Sequence, residues 1–255
     1  MNKMFISTAL ATTLIAGTAK AHELWLNSIQ NPDGSLTAEL AYGHDFPAPE
    51  KIAQDRIGLL QTPMVHTSRG KQPLQRDSSV NYLFHTDVPA ADAIMLSAEY
   101  KPTYWTRNES GWSQGNKQEA SAPLECSQAS MHAKHLLPKT TDSLPDVSQP
   151  LGSDLELITR QHPDQFRVNQ PFTLQVIFNG KPLANAQVLG TFEGFPPEQA
   201  AFYGHTNDEG LIDVMPLRPG YWLMTVEHTI PHAKPEICDK RTHVATLTFN
   251  IPEAH

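Results

Sequence analysis

The chain has 255 residues, a formal net charge of −8 at pH 7 and two cysteines. This length suits one large or two ordinary domains, and the acidic balance argues against a nucleic-acid or anionic-membrane partner. All 12 histidines follow residue 21, and histidine is the commonest metal-binding side chain. Histidine content alone does not show that the chain binds a metal, so a metal site must be inferred from the positions of the histidines.

The first 21 residues have the three parts of a cleavable secretory signal. A short basic start precedes an apolar stretch from Phe5 to Gly17, and residues 18–21 end in an A-x-A cleavage pattern. The apolar stretch is shorter than the about 20 residues that a membrane anchor needs. We therefore expect cleavage after Ala21, a periplasmic mature protein that begins at His22, and no membrane anchor. The alternative is a short N-terminal core helix.

A β-hairpin should open the mature protein. Residues 23–29 and 36–42 alternate between apolar and polar side chains, and Asn31-Pro32-Asp33-Gly34 between them is a strong turn sequence. Because this turn is centred near residue 33, residue i should face residue 66 minus i. This register places His22 opposite His44.

Short alternating segments continue along the chain and predict an all-β protein. In the first half we expect strands at 80–85 and 94–100 and a loop at 107–122. Residues 139–153, rich in Pro, Ser and Asp, predict a linker between two β-sandwich-like domains at 22–138 and 154–255. The second domain has the strand spacing of immunoglobulin- or transthyretin-like sandwiches, with strands expected at 155–158, 172–178, 186–192, 211–214, 221–226 and 244–251.

Cys126 and Cys238 are an even pair in a chain that carries an export signal. In an oxidising compartment such a pair predicts a disulfide, here one that joins the end of the first domain to the last hairpin of the second. The alternative is two buried thiols.

The hairpin register predicts a metal site. Directly opposed residues have Cβ atoms about 5 Å apart, so His22 and His44 can bind one ion. After cleavage, His22 also carries the α-amine, which forms a chelate with its own imidazole. Nitrogen-rich sets of this kind suit Ni(II) and Cu(II). Asp45 could accept a hydrogen bond from a ligand imidazole, or could simply begin the loop.

Other histidines are less clearly placed. His228 and His232 flank Thr229-Ile230-Pro231, where the proline predicts a bend. They either complete the metal site from the second domain or are ordinary surface residues. His132 and His135 lie on either side of Lys134, which favours solvent exposure over metal binding.

The chain resembles the periplasmic components of nickel/cobalt uptake systems, the NikK/CbiK-like proteins. The matching segments are AHELWL at 21–26, YGH at 42–44, YKPTYWTRNESGW at 100–112, LELITRQHPDQFRVNQPFTLQVIFNGKPLANAQV at 155–188, RPGYWLM at 218–224 and CDKRTHVATLTFNI at 238–251. In this resemblance, His22 and His44 match the family's histidines. It implies a non-catalytic protein that binds Ni²⁺ or Co²⁺, with Cu²⁺ or Zn²⁺ as alternatives, and that serves a membrane-embedded energy-coupling ABC importer.

Two other classes of function remain open at this stage. A histidine chelate with copper also occurs in oxidative polysaccharide-cleaving enzymes, but these need a flat substrate face as well. The other class is an envelope module that binds a carbohydrate or a protein without a metal. Stoichiometric metal in the purified protein separates both metal-dependent classes from this module.

Overall fold

The computed structural model describes residues 22–77, 82–138 and 147–253, so the predicted signal lies outside the described residues. Within these ranges the chain forms strands β1 to β17 and short 3-10 helices at Ile57–Leu59, Ala90–Asp92 and Pro163–Gln165. The strands are β1 (Glu23–Gln30), β2 (Leu36–Gly43), β3 (Met64–Thr67), β4 (Gly70–Pro73), β5 (Gln75–Arg76), β6 (Leu83–Thr86), β7 (Ala93–Asn108), β8 (Gly111–Gln114), β9 (Glu125–Leu136), β10 (Leu155–Thr159), β11 (Phe172–Phe178), β12 (Lys181–Pro182), β13 (Gln187–Phe192), β14 (Phe202–His205), β15 (Leu211–Val214), β16 (Gly220–Pro231) and β17 (Lys240–Ile251). The protein is therefore all-β, as its alternating pattern predicts. None of the helices in these ranges is long and apolar enough to cross a membrane.

The strands form three sheets. One four-stranded sheet has the order β1-β2-β6-β5, and a second contains β10, β11 and β12 with β15 paired to β11. The third has nine strands in the order β14-β13-β16-β17-β9-β7-β3-β4, with β8 on β7. Strands from both halves of the sequence meet in this sheet through the parallel pair of β9 and β17. The boundaries at 138 and 154 stay a prediction.

The two four-stranded sheets pack on opposite faces of the nine-stranded sheet, and each pair of layers encloses its own apolar core. Strand β17 shows the division, because alternate residues of a strand point to opposite faces. Leu247 lies in the core under β10 and β11. On the other face, the Thr246 and Thr248 hydroxyls donate to the backbone oxygens of Leu24 and Leu26 at 2.5 and 2.6 Å. Each four-stranded sheet thus forms a β-sandwich with the part of the nine-stranded sheet that it covers. The sandwich of the second half of the chain has the arrangement of immunoglobulin-like domains.

The structure corrects two expectations about local backbone conformation. Strand β16 does not bend before Pro231, which is its last residue and pairs with Lys240. Residues 111–114, expected to be loop, form β8 and pair with β7. All four side chains of β8 are exposed, so the strand carries no apolar alternation to reveal it. The hydrogen bonds to the long strand β7 stabilise β8 instead.

The predicted disulfide between Cys126 and Cys238 is confirmed, with Cα atoms 5.0 Å apart. Both residues are fully buried. The bridge links the start of β9 to the turn before β17, beside the parallel pair that joins the two halves. A sequence separation of 112 residues corresponds to up to about 4–5 kcal/mol on the chain-entropy model.

Protein recovered from an oxidising compartment should contain no free thiol. Treatment with an alkylating agent under denaturing, non-reducing conditions should leave the intact mass unchanged, whereas prior reduction should add two alkyl groups. Two alkylated cysteines without reduction would show that the disulfide does not form.

His135 is fully buried, contrary to the expected exposure. Its Nδ1 lies 2.9 Å from Thr248 Oγ1 and its Nε2 lies 2.8 Å from Ser28 Oγ. A neutral imidazole can donate to one hydroxyl and accept from the other. Burial lowers the pKa of His135 to about 3. The ring therefore stabilises the contact between β1, β9 and β17 only while it is neutral.

Acidification should destabilise the fold through His135. Its pKa is near 6.5 when unfolded and about 3 when folded, so the unfolded state binds more protons between these values. The contribution of His135 to the free energy of unfolding is therefore complete above pH 6.5. It is lost as the pH falls, by about 1.4 kcal/mol per pH unit within that window. Urea titrations from pH 7 to 4.5 should give a shallower pH slope for His135→Gln. His85→Gln, at an exposed position, is the control, and equal slopes in the two variants would contradict this role.

Candidate metal centre

The β1–β2 hairpin brings two histidines together. Glu23 lies opposite Gly43 in the antiparallel pair, so partner numbers sum to 66, as the turn predicts. His22 directly precedes β1 and His44 directly follows β2. Their ring centroids lie 3.8 Å apart with an interplanar angle of 50°. Two imidazoles thus meet at the open end of the hairpin.

Glu50 joins these histidines from the loop after β2. His44 Nδ1 lies 2.5 Å from Glu50 Oε1, and His22 Nε2 lies 3.3 Å from Glu50 Oε2. The backbone N–H of His44 also donates to Glu50 Oε1 at 3.0 Å. One ligand atom from each of the three residues lies within 4.8 Å of the others. In the described part of the chain, these residues form the one group of three or more His, Cys, Asp or Glu with this property.

A backbone hydrogen bond and one buried aromatic side chain fix the loop after β2, and thereby Glu50. The Glu50 N–H donates to Tyr42 O at 2.9 Å, which turns the loop back on the strand. Gly43 permits this approach, because a Cβ there would lie 3.1 Å from both the backbone N and the Cγ of Glu50. Phe46 is buried in the same loop, with its ring centroid 4.7 Å from that of Tyr221. The hydrogen bond to Tyr42 and the buried Phe46 ring therefore position the Glu50 carboxylate.

Burial and hydrogen bonding favour the metal-binding forms of His22 and Glu50. Burial, followed by the neighbouring His44, holds the pKa of the His22 imidazole below its usual value. The hydrogen bond with His44 holds the pKa of the Glu50 carboxyl below its usual value. At neutral pH the group thus contains a neutral His22 ring and an ionised Glu50, the forms that bind cations.

Two stacked tyrosine rings pack against the His22 ring. His22 stacks on Tyr42 with centroids 4.7 Å apart and an interplanar angle of 10°. Tyr42 in turn stacks on Tyr100 at 6.2 Å and 6°. Burial raises the pKa of Tyr100 to about 12, so this phenol stays neutral. The stack limits the orientations of the His22 ring.

A family model described as "Domain of unknown function (DUF4198)" matches residues 19–230, most of the chain. The chain belongs to this family. The family description names no ligand or activity. No curated protein matches the sequence.

The D0-D1 domain of Intimin is a solved structure similar to this DUF4198 chain. The two share 10% sequence identity, and the match covers 90% of this chain and 99% of that chain with a TM-score of 0.21. A score this low carries no conclusion about fold or function. The all-β assignment rests on the strands themselves.

The structure does not bring His228 and His232 to the group formed by His22, His44 and Glu50. Because β16 continues past His228, this residue pairs with His243 on β17. Its ring lies 4.6 Å from Phe178, on the face of the nine-stranded sheet that packs against β11. The hairpin with His22 packs on the opposite face.

His232 lies just after β16 in the turn that leads to the disulfide. Its Nδ1 lies 2.9 Å from the backbone oxygen of Lys234. Its ring meets the edge of Tyr104 at a centroid distance of 5.9 Å. These local contacts hold the His232 ring within the turn.

Glu50, not Asp45, supplies the carboxylate beside His44. Asp45 is exposed, and its backbone oxygen accepts a hydrogen bond from Ala48 N at 2.7 Å. Adjacency in sequence favoured Asp45, whereas a turning loop brings residue i+6 back to the strand end. The two prolines at 47 and 49 are the signal that this segment turns.

Proposed function

We propose that this DUF4198 chain is a periplasmic transition-metal-binding protein that takes up Ni²⁺ or Co²⁺ for an energy-coupling ABC importer. The observation that supports this proposal is the convergence of His22, His44 and Glu50 at the open end of the β1–β2 hairpin. The imidazoles and the carboxylate would hold the ion, together with the α-amine that signal cleavage leaves on His22. Cu²⁺ and Zn²⁺ are the alternative ions.

The donor chemistry of these residues fits such an ion. An amine, two imidazoles and one carboxylate form a nitrogen-rich set without thiols, which suits divalent ions late in the first transition series. Amine and imidazole of one residue can bind together, so the chelate costs little additional ordering. Hard cations such as Mg²⁺ and Ca²⁺ prefer sets made entirely of oxygen.

The exposure of the group supports exchange of the ion with a partner. The side chains of His22, His44 and Glu50 are 28%, 36% and 44% exposed. Structural metal sites are closed by their protein ligands, whereas an open site lets an ion enter and leave without unfolding. A protein that delivers metal to an importer needs such access.

The compartment in this proposal is supported by the disulfide, since disulfides persist in oxidising, extracytoplasmic compartments. The importer partner comes from the resemblance to NikK/CbiK-like proteins. The free amine of His22 requires cleavage after Ala21, so the function depends on correct processing of the signal.

His44→Ala tests the proposed site directly. In calorimetric titrations of the mature protein with Ni²⁺, this variant should bind at least tenfold more weakly, a loss of at least about 1.4 kcal/mol. The melting temperature without metal should hardly change, because His44 lies at a partly exposed hairpin end. His205→Ala, at an exposed position of β14, is the matched control. Full nickel affinity in a folded His44→Ala protein would remove His44 from the site.

A further inference from the structure

Arg56 lies one side chain away from the metal-binding group. Its Nη1 donates to the Tyr42 hydroxyl at 3.2 Å, and the ring of the same tyrosine stacks on His22. The guanidinium carbon lies 4.8 Å from the centroid of the Trp105 ring. These contacts orient the guanidinium beside the hairpin end.

The guanidinium is not neutralised by a carboxylate in the described part of the chain. Arg56 forms no ion pair there, and its Nε is buried without a hydrogen-bond partner. A guanidinium has five N–H donors in a fixed fork that matches a carboxylate. Among the described residues, the one side-chain hydrogen bond of Arg56 goes to Tyr42, so the second terminal nitrogen of the guanidinium has no side-chain partner there.

With a metal ion bound, the site and the neighbouring Arg56 would therefore carry a net positive charge. A divalent ion and the Arg56 guanidinium carry more positive charge than the single Glu50 carboxylate can offset. The group is partly exposed, so additional donors can reach an ion there from solvent. An anion that binds the metal through one group and presents a carboxylate to Arg56 would satisfy both requirements.

We propose that the ion binds together with a small carboxylate-bearing chelator, and that Arg56 receives a carboxylate of this chelator. The proposal rests on the metal-binding function above and specifies its substrate as a metal–carboxylate complex. Arg56 is then the residue that distinguishes the complex from the free ion.

Equilibrium dialysis with radiolabelled citrate as the probe tests this proposal on the mature protein. At saturating Ni²⁺, the unmodified protein should retain citrate, and without Ni²⁺ it should retain none. Arg56→Gln, compared at equal nickel occupancy, should retain citrate at least tenfold more weakly, and Arg56→Lys should recover part of the loss because it keeps the charge. Arg69→Gln is the matched control, since Arg69 is 78% exposed and pairs with Asp92.

The outcomes separate this proposal from the one on which it rests. Nickel binding without nickel-dependent citrate retention would overturn the co-ligand and leave the metal site intact. Equal citrate retention by Arg56→Gln and the unmodified protein would mean that Arg56 only packs on Trp105. Absence of nickel binding in the unmodified protein would overturn both proposals.

Discussion

Blocking the α-amine of His22 should weaken nickel binding at least tenfold, which corresponds to about 1.4 kcal/mol. The variant adds Gly-Ser-Gly-Pro before His22, so every side chain of the site remains. The His22 nitrogen then becomes an amide, and the preceding proline nitrogen has no proton to lose. The reason for the loss is that the amine and the imidazole of His22 no longer form a chelate.

The pH dependence of binding provides a second readout for the blocked variant. A free α-amine titrates near pH 8 and must lose its proton to bind a metal. Affinity of the authentic terminus should therefore rise with pH through this range, and the blocked variant should lose this contribution. Equal affinity for the two proteins would exclude the amine, and the site would then consist of His22, His44 and Glu50 side chains alone.

Replacing Glu156 with alanine should destabilise the fold by about 3–5 kcal/mol, the cost of leaving a buried charge unpaired. Glu156 pairs with Lys134, and the two side chains are 0% and 7% exposed. Its carboxylate also accepts backbone N–H groups from residues 151–153 at 2.7–2.9 Å. The substitution removes all of these contacts and leaves the Lys134 ammonium buried without its carboxylate partner.

Urea unfolding at pH 7 measures this effect. Asp92→Ala is the control, because it breaks the exposed pair with Arg69, in which the two side chains are 49% and 78% exposed. Exposed pairs contribute only about 0–1 kcal/mol, so this variant should differ little from the unmodified protein. A loss for Glu156→Ala as small as that of the control would show that the buried pair does not support the fold.

Local sequence rules predict the part of the site that depends on one turn. The Asn31–Gly34 turn determines the hairpin register, and the register places His22 beside His44. The disulfide was also predictable, because the chain offers a single pairing of two cysteines. In each case one short-range or compositional constraint is enough.

Contacts that depend on tertiary packing were not predictable in this way. Glu50 reaches His44 because a buried Phe46 and the hydrogen bond to Tyr42 O turn the loop back. His135 is buried because β1 covers the face of β9 on which it lies, and Ser28 of β1, which contacts the ring, is 107 residues away in the chain. Alternation within one strand shows that two faces differ, but it does not show what covers either face.

Metal analysis of the correctly processed protein tests the central claim most directly. Protein from the periplasm of cells supplied with nickel, shown by intact mass to begin at His22, should retain about one nickel or cobalt ion per chain after desalting. The double variant His22→Ala/His44→Ala, purified in the same way, should retain none. Absence of transition metal from the unmodified protein, or equal metal in both proteins, would contradict the proposed function.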